Sequence, residues 1–290
     1  ELKPDVVHAH GTEESHLLSA QTTRLPYVIT AQGMLSQINA VLPPKRLSRE
    51  RIIELLERRA LSRAKHIIAK SDYVAAWIRR CYPHLTIHRI PNTFDPALLD
   101  CPEITAKIPR SMVFVGTVTP RKGLDTLADA LENAPDLDAH TLHIVGDVGD
   151  RAAPYEQGII ARLRRILGDR LSIHGRVPAN EAARLAARCE VLVAPSLEEM
   201  FGNQVIEALL GGTWPVVSSG TAMEENVLRF GAGTVFQQAD PADLRRAISE
   251  AFQTIPTWDP STARAAITAW MGPETVAKQH HDLYQMILRA

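Results

Sequence analysis

The chain has 290 residues, 45% of them hydrophobic and 22% charged, with a formal net charge of -1. This is the balance of a globular protein with apolar surface for about two cores, and the near-zero charge excludes bulk attraction to nucleic acid. Cys81, Cys101 and Cys189 show no C-x-x-C spacing, which excludes a disulfide framework or zinc site and fits a reducing, cytoplasmic setting.

The chain opens on Glu1-Leu2-Lys3-Pro4 without an initiator Met and enters a β-branched segment at once. The expectation is a chain that begins inside a domain, with something upstream absent. Strands are expected over 6–9, 27–31, 66–69 and 87–90, with helices between them. The longest of these helices runs over about 46–62. Ile52, Ile53, Leu55 and Leu56 are expected to pack inward from it. Lys45, Arg46, Arg49, Arg51, Arg58, Arg59, Arg63 and Lys65 then form an outer face, either solvated or laid on anionic lipid at the inner face of a membrane. Pro91 to Pro96 breaks the pattern, and the polar stretch up to Pro109 reads as a linker.

A second series follows, with strands over 112–115, 142–145, 171–174, 191–194, 215–217 and 234–236 and helices between them. The alternation predicts an α/β protein of two parallel-sheet, Rossmann-like domains. The expected boundaries are 1–100 and 101–272, with a tail helix over 273–290 returning to the first domain. No apolar run reaches the ~20 residues of a membrane-spanning helix.

Ligands of open parallel sheets bind beyond the carboxyl ends of the strands, so the candidates lie just after each strand. Residues 195–208 read Pro-Ser-Leu-Glu-Glu-Met-Phe-Gly-Asn-Gln-Val-Ile-Glu-Ala. A helix starting near Gly202 would offer free N–H groups and its positive dipole end to a diphosphate. Glu199 precedes that helix and Glu207 lies about five residues inside it. The two carboxylates could accept from hydroxyls of a sugar and of a ribose, several ångströms apart. The same stretch also reads as a loop–helix junction with solvated acids. After the strand over 112–115, the run from Gly116 and Thr117 to Pro120-Arg121-Lys122-Gly123 places two cations where a leaving diphosphate would be neutralised, or forms a polar helix-entry turn. His8 and His10 alternate onto one sheet face, with His10 at the strand end. That pair is compatible with a catalytic, a metal-binding or a structural role, although no third ligand stands at a suggestive spacing. Asp147 and Asp150 lack D-x-D spacing, so no metal is implied.

The Glu199-x7-Glu207 spacing, with Phe201-Gly202 inside it and G-G-T-x-P-V-V over 211–217, resembles the signature of retaining GT-B glycosyltransferases of family 4 (glycosyl transferases group 1). The resemblance spans nearly the whole chain. It implies a GT-B fold, two Rossmann-like domains facing a cleft, with the first incomplete here. Glu199 would meet the donor sugar and Glu207 the ribose, while Met200, Phe201, Gly202 and Asn203 approach the sugar or phosphates. Lys122 matches the Lys of the family's G-R-x-x-x-x-K-G. Thr117 stands where its Arg is usual, and Arg121 would supply the second charge beside Gly116. His10 resembles the second His of H-x-H-[EG], which lies at the reaction centre. The run over 30–35 is similar to the T-P-H-G-M-L of exopolysaccharide-type members, with Gln32, which cannot act as a base, in place of His; Gln32 and Gly33 would be acceptor-side residues. His174, Gly175, Arg176 and Val177 resemble the segment that reads the nucleobase.

The implied reaction moves a sugar from a UDP- or GDP-sugar to a hydroxyl of a saccharide or lipid-linked saccharide, with retention, in cell-surface polysaccharide or glycolipid synthesis. Its catalytic group would be His10, Glu199, Lys122 and Arg121, with the leaving diphosphate taking the acceptor's proton. No cofactor is implied, the nucleotide-sugar being a co-substrate. A catalytically silent GT-B-like binding or partner protein is the alternative, signalled by Gln32 and Thr117. A GT-B-fold epimerase fits the E-x7-E motif less well.

Overall fold

A computed structural model describes residues 3–12, 16–44, 48–100, 107–132, 134–147 and 154–289. Lys45, Arg46, Cys101, Asp150 and the middle of the expected linker lie outside these residues. The chain divides into two compact units, Glu1–Thr93 with Pro273–Ala290, and Phe94–Gly272.

The first unit contains β1 (Val7–His10), α1 (His16–Thr22), β2 (Tyr27–Thr30), α2 (Leu35–Val41), α3 (Arg49–Leu61), β3 (His66–Ala69), α4 (Asp72–Cys81) and β4 (Thr86–Arg89). Its four strands pair in parallel in the order β1-β2-β3-β4. The sheet buries Val28, Ile29, Ile67 and Ile68, as β-branched residues of a two-sided parallel sheet should be. Ser71 caps α4 by accepting from the Val74 N–H at 3.2 Å, and Asp72 complements the dipole in its first turn.

Helix α3 corrects the expected packing. It buries Glu54, Glu57, Ala60 and Leu61, whereas Ile52, Leu55 and Leu56 are 61%, 67% and 45% exposed. Polar demand inside explains the inversion. Glu57 accepts from the Leu35 N–H at 3.0 Å, the Ser36 N–H at 3.1 Å and the Thr12 hydroxyl at 2.8 Å. It thereby satisfies the otherwise unpaired N-terminus of α2, where a carboxylate is favoured. Glu54 takes the Asn39 amide at 2.9 Å and the guanidinium groups of Arg51 and Arg58. A periodicity argument sees only which residues share a face, and here the core selected the acidic one.

The second unit contains β5 (Ile108–Val115), α5 (Leu124–Leu131), β6 (Thr141–Val145), α6 (Pro154–Leu167), β7 (Leu171–Gly175), α7 (Ala179–Arg188), β8 (Cys189–Ala194), α8 (Asn203–Leu210), β9 (Trp214–Ser218), α9 (Ala222–Phe230), β10 (Thr234–Phe236), α10 (Pro241–Thr254) and α11 (Ser261–Met271). All six strands are parallel, in the order β10-β9-β8-β5-β6-β7. This is the doubly wound order, whose switch point lies where β5 and β8 run side by side, and ligands collect beyond the carboxyl ends at such a point. Met112, Val113, Phe114, Val191, Leu192 and Val193 make those two strands the buried centre.

Two parts of the expected linker belong to this unit. Pro96–Asp100 forms a 3-10 turn whose Leu98 is buried and whose Leu99 carbonyl accepts from Arg264 at 2.5 Å. Pro109 lies inside β5, not in a linker. Proline cannot donate to a ladder, and the β5–β8 register shifts between Ile108 and Met112, with Arg110 at φ 55°. Side chains repair this bulge. The Arg110 N–H donates to Glu190 at 2.6 Å, and the Ser111 hydroxyl donates to the Ile108 carbonyl at 2.5 Å while accepting from the Glu190 N–H at 3.1 Å.

Just before β5, Lys107 Nζ donates to the carbonyls of Ala187 (2.6 Å), Cys189 (3.2 Å) and Gly211 (2.9 Å) and to the Thr213 hydroxyl (2.9 Å). One ammonium therefore serves the C-terminal ends of α7 and α8, where cations meet both the unpaired carbonyls and the dipole.

The last helix, α12 (Pro273–Arg289), belongs to the first unit. Its Tyr284 hydroxyl lies 2.6 Å from His8 Nδ1, and His8 Nε2 lies 2.6 Å from the Thr30 hydroxyl. Among the described residues no helix is long and apolar enough to cross a membrane.

Candidate functional site

The switch point of the second unit is built from two turns. Residues 116–123 leave β5 and residues 195–202 leave β8. The second turn is held in shape through its carbonyls. Ser196 O accepts from the Ser218 hydroxyl (2.5 Å), Leu197 O from the Gln238 amide (2.9 Å) and Glu198 O from Arg121 (2.9 Å). Glu199 O accepts from the Ala222 N–H (2.9 Å), and Phe201 O from the buried Asn226 amide (2.6 Å). A loop fixed on so many acceptors needs little reorganisation when a ligand arrives.

Two glycines are demanded by this packing. At Gly123, φ 69°, a Cβ would lie 1.9 Å from the Pro195 carbonyl oxygen, so the two turns could not approach. At Gly202, φ 79°, it would lie 2.5 Å from Met223 Cγ. Gly202 thus serves close packing of the loop on α9. It also opens α8, whose first turn has no side-chain cap and keeps the donor character of a helix N-terminus.

The charges pair across the two turns. Lys122 Nζ lies 2.6 Å from Glu199 Oε2, both largely buried at 11% and 17% side-chain exposure. Beside them Arg121 Nη1 lies 3.3 Å from Oε2 of Glu198, which is 1% exposed. Burial pushes the Glu199 carboxyl up, but Lys122, Arg121 and the Phe201 N–H outweigh it and hold the group below the usual range. Glu198 moves the other way. Burial, reinforced by Glu199 and opposed by Arg121 and Lys122, pushes it up to about 7. Glu207, on the α8 face, is raised by burial, and none of the described residues offers its side chain a hydrogen bond.

Between the ends of β5, β6 and β7 opens a recess of about 350 Å³. It brings together Gly116, Thr117, Arg176 and Val177 from the expected set and adds Asp147. His174 is not part of its lining. The His174 ring pairs with His143 on the neighbouring strand, Nε2 to Nδ1 at 3.1 Å. Gly175 has φ 68°, and its carbonyl accepts from the Gly146 N–H at 2.9 Å. Met200 and Phe201 are buried at 4% each, so only their backbone can serve a ligand, whereas Asn203 is exposed on the first turn of α8.

In the first unit, His10 is exposed at the end of β1 and stacks on His8 with ring centroids 4.0 Å apart. Burial, then the neighbouring charges of Lys70 and His280, lower its pKa. His8 is lowered by burial, His10 and His280 to about 3, so its imidazole is neutral at physiological pH. Gln32 is exposed and Gly33 half-buried at the end of β2. Among the described residues no group of three or more His, Cys, Asp or Glu is gathered that could hold a metal ion.

Sequence reasoning missed Lys70, Glu198, Asn226 and Gln238. Lys70 follows β3 directly, so inspecting every strand end would have found it. Glu198 carried a signal as the carboxylate directly before Glu199 at a strand end. Asn226 and Gln238 act from elements distant in sequence and carried none.

The family model described as glycosyl transferases group 1 matches residues 109–254, and that described as glycosyltransferase family 4 matches residues 1–98. A D-inositol 3-phosphate glycosyltransferase from Jonesia denitrificans is 27% identical over 74% of this chain and 55% of its own length. The chain spans about half the length of the first curated relatives it matches. Among solved structures, the sucrose-phosphate synthase of Thermosynechococcus elongatus superposes with a TM-score of 0.81 at 21% identity, covering 98% of this chain and 74% of that one. Anabaena HepE in complex with UDP-glucose gives 0.75 at 19%, covering 97% and 79%. With its two parallel-sheet units of the GT-B class, the chain belongs to the family of group 1 glycosyl transferases.

Proposed function

We propose that the protein is a glycosyltransferase that takes a sugar from a nucleotide-diphosphate donor and passes it, with retention, to an acceptor hydroxyl. The observation that carries this is the switch-point arrangement, in which Lys122 and Arg121 face Glu199 and Glu198 beside the start of α8. Cations and helix N–H groups converge there, as the charge developing on a leaving diphosphate requires. Glu199, kept ionised, is an acceptor for donor-sugar hydroxyls. Glu207, without a side-chain partner among the described residues, is assigned to the ribose. Gly116, Thr117, Arg176 and Val177 line the recess assigned to the base. HepE, structurally similar, was solved with UDP-glucose, which supports a UDP-sugar as first choice over a GDP-sugar. His10 keeps its assignment to the reaction centre, and Gln32 and Gly33 to the acceptor side. No metal or cofactor enters this scheme.

The test is nucleotide release from UDP- and GDP-sugars, with saccharide and lipid-linked saccharide acceptors, in EDTA. Release coupled to a new glycoside of the donor's anomeric configuration is expected. Binding without release, with every acceptor, would favour the silent alternative, and an inverted product would end the retaining scheme.

We further assign the ridge of α3 to peripheral contact with an anionic membrane, where a lipid-linked acceptor would reside. Ile52, Leu55 and Leu56 share an exposed arc with Arg49 and Arg59, the pairing of apolar and basic groups that seats a helix at a lipid surface. Flotation with vesicles containing about a third phosphatidylglycerol should carry the protein up, and Leu55→Glu with Leu56→Glu should abolish it. Equal flotation of the double variant would remove the assignment.

A further inference from the structure

Arg121 is gripped from one edge only. Its Nη1 donates to the Glu198 carbonyl oxygen at 2.9 Å and to Glu198 Oε2 at 3.3 Å. Guanidinium carries five N–H donors in a planar fork, so Nε and Nη2 keep three that no described residue engages, two of them side by side on the outer edge. The side chain is 30% exposed, which leaves that edge accessible beside Lys122. Glu198, by contrast, is buried, and its Oε1 has no hydrogen-bond partner among the described residues. A guanidinium locked on its inner edge and open on its outer one suits two-point capture of a phosphate. A buried carboxyl with one bare oxygen is cheaper as the neutral acid than as the anion.

We propose that Glu198 is a positioning residue of the donor site, fixing Arg121 with its outer edge toward the diphosphate and, by taking up a proton, raising the positive charge the pair presents to that anion. This rests on the reading of the site as a nucleotide-sugar site. With Glu198 neutral the Arg121–Glu198 unit carries one positive charge, and with Glu198 ionised it carries none. The charged groups facing Glu198 are Arg121 and Lys122 from the turn after β5 and its neighbour Glu199. Since the folded-state value lies near 7 against an ordinary 4.5, the native protein holds this proton where the unfolded chain has lost it. The contribution to stability is full below 4.5 and disappears as pH rises through 7. Donor affinity follows the same direction, strongest on the acid side.

The experiment is calorimetric titration of the full chain with UDP-glucose and GDP-mannose, whose diphosphates do not titrate near neutrality, at about pH 6 and about pH 8. Wild type should bind severalfold more weakly at the higher pH. Glu198→Gln, neutral throughout, should bind as wild type does at the lower pH and show no pH dependence. Glu198→Ala, which releases Arg121, should bind about tenfold more weakly at both. Arg121→Gln should also lose the pH dependence, because Glu198 without its cation stays neutral; this arm is independent of any folding defect in the Glu198 variants. Wild-type pH dependence retained in Glu198→Gln or Arg121→Gln overturns the proposal. So does wild-type affinity in Glu198→Ala. Binding of neither probe by wild type overturns the donor-site reading itself, and this inference with it.

Discussion

Lys122→Ala should lower kcat by about 10²- to 10³-fold, the usual cost of deleting one preorganised donor from a charge-developing site. Lys122 is a largely buried ammonium at 2.6 Å from Glu199, at the switch point and across from the start of α8. Its charge is therefore poorly screened where a leaving diphosphate would gather negative charge. The alanine variant also leaves Glu199 ionised without its nearest cation, so the pocket repels the donor it formerly attracted, and KM should rise too. Lys122→Arg should recover only part of the loss, because a planar fork cannot occupy the point-charge position of an ammonium. Steady-state kinetics with the donor found in the release assay, alongside circular dichroism to verify folding, measures this. A loss smaller than tenfold in a folded variant would remove Lys122 from the chemistry.

Lys107→Met should destabilise the second unit by about 3–5 kcal/mol, a large share of a typical domain's margin. The side-chain volume is kept, so the loss is not one of packing. What disappears is the ammonium that bonds the Ala187, Cys189 and Gly211 carbonyls and the Thr213 hydroxyl. Bonds to charged donors are each worth about 1.5–3 kcal/mol, and unsatisfied buried acceptors add their desolvation. The Thr213 hydroxyl, 2.9 Å from Ala186 O and 3.0 Å from Cys189 O, recovers a fraction of this. Urea unfolding should show a lower midpoint with an unchanged slope. A shift worth less than about 1 kcal/mol would mean that water replaces the ammonium at both helix ends.

Strand positions in both units were legible because short β-branched runs between helices leave little choice of class. The alternation over 112–217 predicted a parallel, Rossmann-like sheet, whereas the strand order that puts the turns after β5 and β8 together came from the structure. The pairing of Lys122 with Glu199 was not legible, since spacing along the chain gives no distance across a switch point. Helix α3 shows the opposite failure. Ile52, Leu55 and Leu56 share one face as a core stripe would, yet Glu54 and Glu57 are buried with Ala60 and Leu61 instead, because the α2 N-terminus and the Asn39 amide need acceptors there. Pro109 misled for a related reason: a proline ends a regular strand but is tolerated at a bulge whose lost ladder bonds Glu190 and Ser111 replace. His174 was readable as a strand-end residue, but its pairing with His143 depends on register, which irregularity at the end of β7 sets.

The central claim, that one loop–helix junction reads the donor's sugar through Glu199 and its nucleoside through Glu207, is tested most directly by calorimetry. The titrants are the free nucleoside diphosphate and its sugar conjugate, on wild type, Glu199→Ala and Glu207→Ala. Glu207→Ala should weaken both ligands alike, by about tenfold. Glu199→Ala should bind the free diphosphate at least as well as wild type, because Lys122 is released to it, while losing the increment due to the sugar. Unchanged affinities in Glu207→Ala, or equal losses for both ligands in Glu199→Ala, would contradict the assignment of the two carboxylates.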